Sequence, residues 1–342
     1  MQVRIGTRAS ALALTQTGHV AADLTAAGLA VETVRVRTEG DRSRASLAAL
    51  GGTGVFVTAL RDALLEGRCD VAVHSFKDLP TAPAPGLVVA AVPVRQDPRD
   101  ALCARDGLTL AELPRGARVG TGSPRRAAQL RAARPDLDVV DLRGNVDTRL
   151  GRVAGSTGPG DLDAVVLARA GLARLGRLDA VTEVFDADVM LPAPGQGALA
   201  VEVRAEDASG DGALAAALRT LDDLATRLAV TAERALLGRL EAGCAAPVGA
   251  LAQLVGDQLQ LQAVVAGVDG GRALRRTLAA TGADVAAASD LGTRVADLLL
   301  EDGAAELAPV GPGASRGPTA SAGPAADDTA QVGGAAQPKA RG

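Results

Sequence analysis

The 342-residue chain predicts an α/β protein of two similar units followed by a small α+β unit. Three observations carry this. Short apolar runs alternate with helix-period stretches from the N-terminus onward. The same grammar restarts after a Pro- and charge-rich crossing, Pro93 to Asp100. From Leu221 the style changes to one long helix and then alternating strands. A second crossing at Pro194-Gly195-Gln196-Gly197 leads back into a strand, so the second unit reads as inserted into the first. The expected boundaries are 1–94 with 196–216, then 95–195, then 217–306. Residues 307–342 are Ala, Gly, Pro and Ser without periodicity and read as a disordered tail.

In chain order, Gln2 to Ile5 is a strand, Gly6 to Ser10 a polar turn carrying Arg8, and Ala11 to Ala27 a helix. Val31 to Arg37 is the next strand, leading to Asp41 and a polar, Gly-rich segment. Val55 to Glu66 is helical and includes Phe56, and Val71 to His74 is a buried strand. In the inserted unit Ala117 to Gly120 is a strand and Thr121-Gly122-Ser123 a turn. Ser123 as N-cap with Pro124 at the first helical position is a strong helix start, and that helix carries Arg125 and Arg126. Asp138 to Leu142 is a strand ending in Arg143-Gly144-Asn145, before a helix with Arg149. Asp163 to Ala168 precedes Gly171 to Gly176 with Arg174, and Ala198 to Arg204 is the returning strand. Leu221 to Leu240 reads as a single helix, ending in the loop Glu241-Ala242-Gly243-Cys244. Strands at Pro247–Leu254, Gln258–Ala266 and Leu274–Ala280 and a helix at Val285–Glu301 complete the third unit.

Composition narrows the function. The chain is 47% hydrophobic but 1% aromatic, with no Trp, no Tyr and three Phe, so its cores must be Ala, Val and Leu. A net charge of -4 gives no bulk attraction for nucleic acid. No apolar run approaches the length of a membrane span, and Met1 leads straight into a strand without a basic-then-apolar leader. Three widely spaced cysteines, Cys69, Cys103 and Cys244, fit a reducing cytoplasm, and with two His they offer no zinc-ligand spacing.

The chemical signal centres on Asp70 to Pro80, where a buried strand turns abruptly into His74, Ser75, Lys77 and Asp78. Groups just past a strand sit where open α/β sheets hold ligands. Only Lys77 and Lys339 among 36 basic residues are lysine, so position 77 selects a compact ammonium over a guanidinium. Asp78 is the candidate for acid–base work, whereas His74 and the buried-strand cysteines are read as structural. Arg8, Arg125, Arg126, Arg143, Arg149 and Arg174 all follow strands or open helices, a bank suited to carboxylate or phosphate groups. Cys244, in a Gly-flanked loop, is the thiol placed for reactivity.

Seven blocks, in order and spacing, resemble the hydroxymethylbilane synthase (porphobilinogen deaminase) family: Arg4 to Ser10, Val73 to Pro80, Asp97 to Asp100, Gly120 to Arg126, Arg143 to Leu150, Leu191 to Gly197 and Leu240 to Cys244. Members join four porphobilinogen molecules head to tail, release four ammonia and liberate the linear tetrapyrrole hydroxymethylbilane. The resemblance implies two domains of the type II periplasmic-binding-protein kind plus a small α+β domain. It implies a dipyrromethane cofactor joined by a thioether to Cys244, and Asp78 as the catalytic carboxylate that stabilises positive charge on pyrrole nitrogens. By motif position, Asp41, Ser75, Lys77, Thr121, Ser123, Arg125, Arg126, Arg143 and Gly144 are expected to contact the cofactor. Arg8, Ser10, Phe56, Arg149 and Arg174 are expected to contact substrate. A monomer acting on porphobilinogen, without nucleic acid, membrane or metal, follows from the same resemblance. Ala49 and Thr53 depart from it, standing where many members have lysine. A non-catalytic anion-binding protein built on a two-domain cleft is the competing class. It leaves the loop cysteine unexplained, and as a solute receptor it would need an export signal.

Overall fold

The computed structural model describes residues 2–36, 54–156, 158–243, 246–282 and 284–311. The first unit contains β1 (Gln2–Thr7), α1 (Ala11–Ala26), β2 (Ala30–Arg35), α2 (Gly54–Leu65), β3 (Val71–Ser75) and β4 (Leu87–Ala91). The second contains β5 (Asp100–Ala104), β6 (Arg118–Gly120), α3 (Pro124–Ala133), β7 (Asp138–Val140), α4 (Val146–Leu150), β8 (Ala164–Ala168), α5 (Arg169–Arg174) and β9 (Glu183–Val184). The chain then returns through β10 (Leu199–Arg204), α6 (Ala205–Ala208) and α7 (Ala213–Leu221). The last unit holds α8 (Leu224–Arg239), β11 (Val248–Val255), β12 (Gln258–Ala266), β13 (Ala273–Thr281), α9 (Val285–Glu301) and α10 (Ala304–Leu307).

The two five-stranded sheets share one plan. The first runs β2-β1-β3-β10-β4 and the second β7-β6-β8-β5-β9. In each, three neighbouring strands are parallel and the fourth runs antiparallel between its neighbours. Both antiparallel strands directly follow a crossing between units. The third sheet, β11-β12-β13, is wholly antiparallel. This is the expected fold class: two similar α/β units and a small α+β unit.

Each unit has its own apolar core, built from Val3, Ile5, Val71 and Val201 in the first and Leu102, Val119 and Val166 in the second. Leu228, Leu236, Leu261 and Leu291 anchor the third. Phe185 is buried in the second core and Phe76 lies buried under α8, so large aromatic volume is used sparingly. Cys69 and Cys103 are buried free thiols, and burial pushes the Cys103 thiol up to about 12. That makes both packing residues.

Several sequence expectations change. The helix expected over Leu221–Leu240 forms as α8 but starts at Leu224, because Asp222 and Asp223 turn the chain after α7, a helix the sequence does not suggest. Asp223 caps α8 by accepting from the Thr226 amide at 2.8 Å, and Asp222 accepts from the Val92 amide at 2.8 Å. Ala217 and Leu218, expected in the third unit, bury in the first core. Ala308 and Val310, expected in the tail, pack into the third core, so ordered chain continues past residue 306. β4 and β5 form where the sequence suggests no strand. The remainder of the expected tail, from residue 312, lies outside the described residues, as do Asp41, Ala49, Thr53 and Cys244. Among the described residues no helix is long and apolar enough to cross a membrane, and no cluster of His, Cys, Asp and Glu could hold a metal ion.

Candidate active site

A cleft of about 470 Å³ opens between the first two units. Its walls include Arg8, Ser10, Ser75, Lys77, Asp78, Arg126, Gly144, Arg149 and Arg174, nine residues singled out in the sequence. Thr121, Ser123, Arg125 and Arg143 do not line it. Phe56 lies on α2, with its side chain outside the described residues.

The first wall comes from β1 and β3. β3 ends at Ser75, and a single 3-10 turn, Phe76–Asp78, follows before Leu79 and Pro80. Buried Gln16 on α1 donates to Ser75 Oγ at 2.8 Å, fixing the strand end. Ser10 caps α1, its Oγ accepting from the Ala13 amide at 3.3 Å. Asp78 is exposed to the cleft and, among the described residues, forms no ion pair. Lys77 keeps part of its surface open, donating to Gln196 Oε1 at 3.3 Å. Enough protein surrounds its ammonium that burial pulls the pKa down to about 8, against the pull of Asp78 and with the help of Arg126. His74 is not part of the wall. Its Nε2 lies 3.2 Å from buried Glu202, which also takes a two-pronged contact from Arg61. That is the structural role the sequence suggests.

The opposite wall is built on a buried acid to which the sequence alone assigns no role. Asp100, the first residue of β5, is fully buried. Arg125 donates to Asp100 Oδ2 at 2.7 Å, and Arg126 reaches Oδ1 through Nε at 3.0 Å and a terminal nitrogen at 2.8 Å. Gln196 adds a contact to the same oxygen at 2.8 Å. Burial alone would raise this carboxyl, but the two guanidiniums outweigh it and hold Asp100 far below the usual range. Arg125 also donates to the Leu191 carbonyl at 2.6 Å, so it faces the core of the wall rather than the cleft. The only sequence signal for Asp100 is an acid opening an apolar strand, which the arginine pattern overshadows.

Three cations remain uncommitted. Among the described residues Lys77, Arg149 and Arg174 form no ion pair with a carboxylate. Arg149 donates through Nε to the Gly144 carbonyl at 2.8 Å, and Arg174 to the Gly197 carbonyl at 2.7 Å. Burial lowers both guanidiniums, Arg174 to about 10, and neighbouring Arg126 and Arg143 add to the effect at Arg149. Among the described residues the buried Nε of Arg174 has no hydrogen-bond partner. Desolvated cations and an orphaned donor around one cleft favour an anionic guest that supplies what the protein withholds. A ligand bearing several carboxylates fits this donor set. Arg149 and Arg174 close short helices rather than open them, so the helix N-terminus rationale in the sequence does not apply to either. Arg143 sits on the surface beside Asp141 at 3.2 Å. Thr121 and Ser123 shape the turn: the Ser123 amide donates to Thr121 Oγ1, and Ser123 caps α3.

Comparison with known proteins accords with this geometry. A family model described as "Porphobilinogen deaminase, dipyromethane cofactor binding domain" matches residues 3–211. A second, "Porphobilinogen deaminase, C-terminal domain", matches residues 227–301. The porphobilinogen deaminase of Cutibacterium acnes is 60% identical over 323 residues, covering 90% of this chain and 96% of that protein. That of Leifsonia xyli is 60% identical, covering 90% and 94%, and that of Thermobifida fusca 57%, covering 89% and 95%. A loose overlay on the methionine-binding protein MetQ, with a TM-score of 0.40 at 13% identity over 64% of this chain and 89% of that one, adds nothing to the fold read from the sheets. With two domain models spanning nearly all of the folded chain and relatives of its own length, the chain belongs to the porphobilinogen deaminase family.

Proposed function

We propose that this chain joins four porphobilinogen molecules head to tail, releases four ammonia and delivers linear hydroxymethylbilane to tetrapyrrole synthesis, as a hydroxymethylbilane synthase. The observation that carries the reading is the shared cleft: Lys77, Arg149 and Arg174, desolvated and without a carboxylate partner among the described residues, face the same space as Asp78. Each pyrrole of the substrate carries an acetate and a propionate, which would pair with these three cations.

The family's dipyrromethane cofactor belongs in this cleft and supplies the two-pyrrole primer to which new units are added. Cys244 is the proposed thioether anchor. Lys77, Arg126, Arg149 and Arg174 would hold carboxylates, with Arg8 and Ser10 completing the first wall. Arg125 acts at one remove, through Asp100. Asp78 offers a fixed negative charge where positive charge develops on pyrrole nitrogens as ammonia departs. Such a charge is most effective in a cleft that sheds water. The protein is proposed to work as a cytoplasmic monomer, with porphobilinogen as its partner. Its units are proposed to divide near residues 95 and 196, the third beginning at α8.

Intact mass spectrometry of protein purified without added ligand tests the reading. Wild type should carry two pyrrole units beyond the polypeptide mass, and Cys244→Ser should carry none. Bare wild-type polypeptide that also leaves porphobilinogen unchanged would reject the synthase in favour of a simple anion-binding protein.

A further inference from the structure

The turn that presents Lys77 and Asp78 has almost no internal support. Within Phe76–Pro80 the one backbone hydrogen bond is Leu79 N–H to the Phe76 carbonyl, at 3.2 Å. One such bond is worth only about 1 kcal/mol net, so the turn depends on its surroundings: Phe76 N–H donates to the Ala198 carbonyl at 3.1 Å, and the Phe76 and Leu79 side chains are buried. The carbonyls of the turn are held from α8. Arg234 donates to the Leu79 carbonyl at 2.7 Å, the Pro80 carbonyl at 2.5 Å and, more weakly, the Phe76 carbonyl at 3.4 Å. Its guanidinium also lies over the Phe76 ring, 4.9 Å from the centroid. A planar fork with five donors can serve several carbonyls at once, which lysine cannot.

Arg234 gives its charge to nothing else. Among the described residues it forms no ion pair, and burial draws its pKa down to about 10, leaving it charged at neutral pH. Its neighbour Glu233 fixes the helix it stands on. That fully buried carboxylate accepts from Arg95 at 2.6 and 3.0 Å, from the Gly195 amide at 2.6 Å and from the Ala252 amide at 2.8 Å. Arg95 belongs to one crossing between units, Gly195 to the other, and Ala252 to β11. Glu233 therefore locks α8 to both crossings, and Arg234 carries that fixed frame to the turn.

We propose that Arg234 is a positioning residue for Asp78: it clamps the Phe76–Pro80 carbonyls so that the carboxylate is presented to the cleft in one orientation. This rests on the synthase reading for its kinetic consequence but not for its structural one. Arg126, Arg149 and Arg174 stand outside this turn, and Lys77, which rides on it, has its ammonium held separately by Gln196 Oε1 at 3.3 Å. Loss of the clamp should therefore lower kcat and leave KM for porphobilinogen nearly unchanged.

Arg234→Met and Arg234→Lys, with wild type, test it in two independent measurements. In hydrogen exchange, Arg234→Met should speed exchange across 75–80 by roughly tenfold while the rest of β3 is unaffected, with Arg234→Lys in between. In steady-state kinetics, kcat should fall about tenfold to a hundredfold with KM within about twofold, and lysine should restore part of it. Unchanged exchange in the turn overturns the proposal, and so does a loss confined to KM. If Arg234→Met does not fold, Arg234→Lys alone must show both partial effects or the proposal fails. Wild type that does not turn over porphobilinogen would sink the synthase reading instead, while the exchange measurement still decides the clamp.

Discussion

At the scale of single residues, the site separates groups that meet the ligand from groups that hold them. Lys77 is proposed for the first set, and its lowered pKa has two consequences of opposite sign. The folded value, about 8, lies below the ordinary 10.5 of an unfolded chain. Between those values the native state binds fewer protons than the unfolded state, so this group makes the protein more stable as pH rises through that window. Anion binding runs the other way, with the ammonium charge present below about pH 8 and lost above it. KM for porphobilinogen should climb as pH passes about 8, and Lys77→Arg should move that climb beyond the measurable range. A KM that stays level from about pH 7 to 9 in wild type would remove Lys77 from the binding set. The sequence made Lys77 and Asp78 legible, because a polar group ending a buried strand is a local signal. It did not reveal that Arg125 faces inward. That depends on Asp100, 25 positions away, and such pairing is a tertiary fact with no periodic trace.

At the scale of elements, the Ser123 cap was readable in the sequence and strand directions were not. Ser123 with Pro124 opens α3 as its chemistry requires, and Asp284 caps α9 by accepting from the Ala287 amide at 2.8 Å. The start of α8 reads three residues early from the sequence because Leu221 and Leu224 continue an apolar face across the turn. Asp222-Asp223 was the missed signal, two acids that prefer cap positions to helix interiors. Helix packing offers a direct test. A Cβ added at Gly292 of α9 would sit 2.2 Å from the Ala232 carbonyl of α8 and 2.8 Å from Ala235 Cβ. Neither backbone can yield without parting the helices. Gly292→Ala should therefore cost about 1–3 kcal/mol, read as a lower midpoint in urea followed by circular dichroism. An unchanged midpoint would mean that α8 and α9 can separate freely, which the Arg239–Asp297 ion pair between them at 2.7 Å also argues against.

At the scale of the whole molecule, two sheets of the same order face each other across a cleft, joined by crossings that touch. The amide of Gln96 in one crossing donates to the Gly197 carbonyl in the other at 3.3 Å. Gly197 has φ +87, and a Cβ there would lie 2.4 Å from the Gln96 carbonyl oxygen. Gly197→Ala should force the crossings apart and cut turnover at least about fivefold, because the walls must stay in register. Full activity in that variant would show that the cleft tolerates a shifted hinge. Repetition of the βα grammar made the two-unit plan readable from the sequence. The antiparallel strand in each sheet was not readable, since a buried run carries no direction. The composition of the cores has a practical consequence of an optical kind. With no Trp or Tyr and only three Phe, the polypeptide is nearly dark in the near ultraviolet and has no tryptophan emission. Its concentration cannot be taken from aromatic absorbance. In return, any band seen there belongs to a bound chromophore, so the bare protein is its own blank.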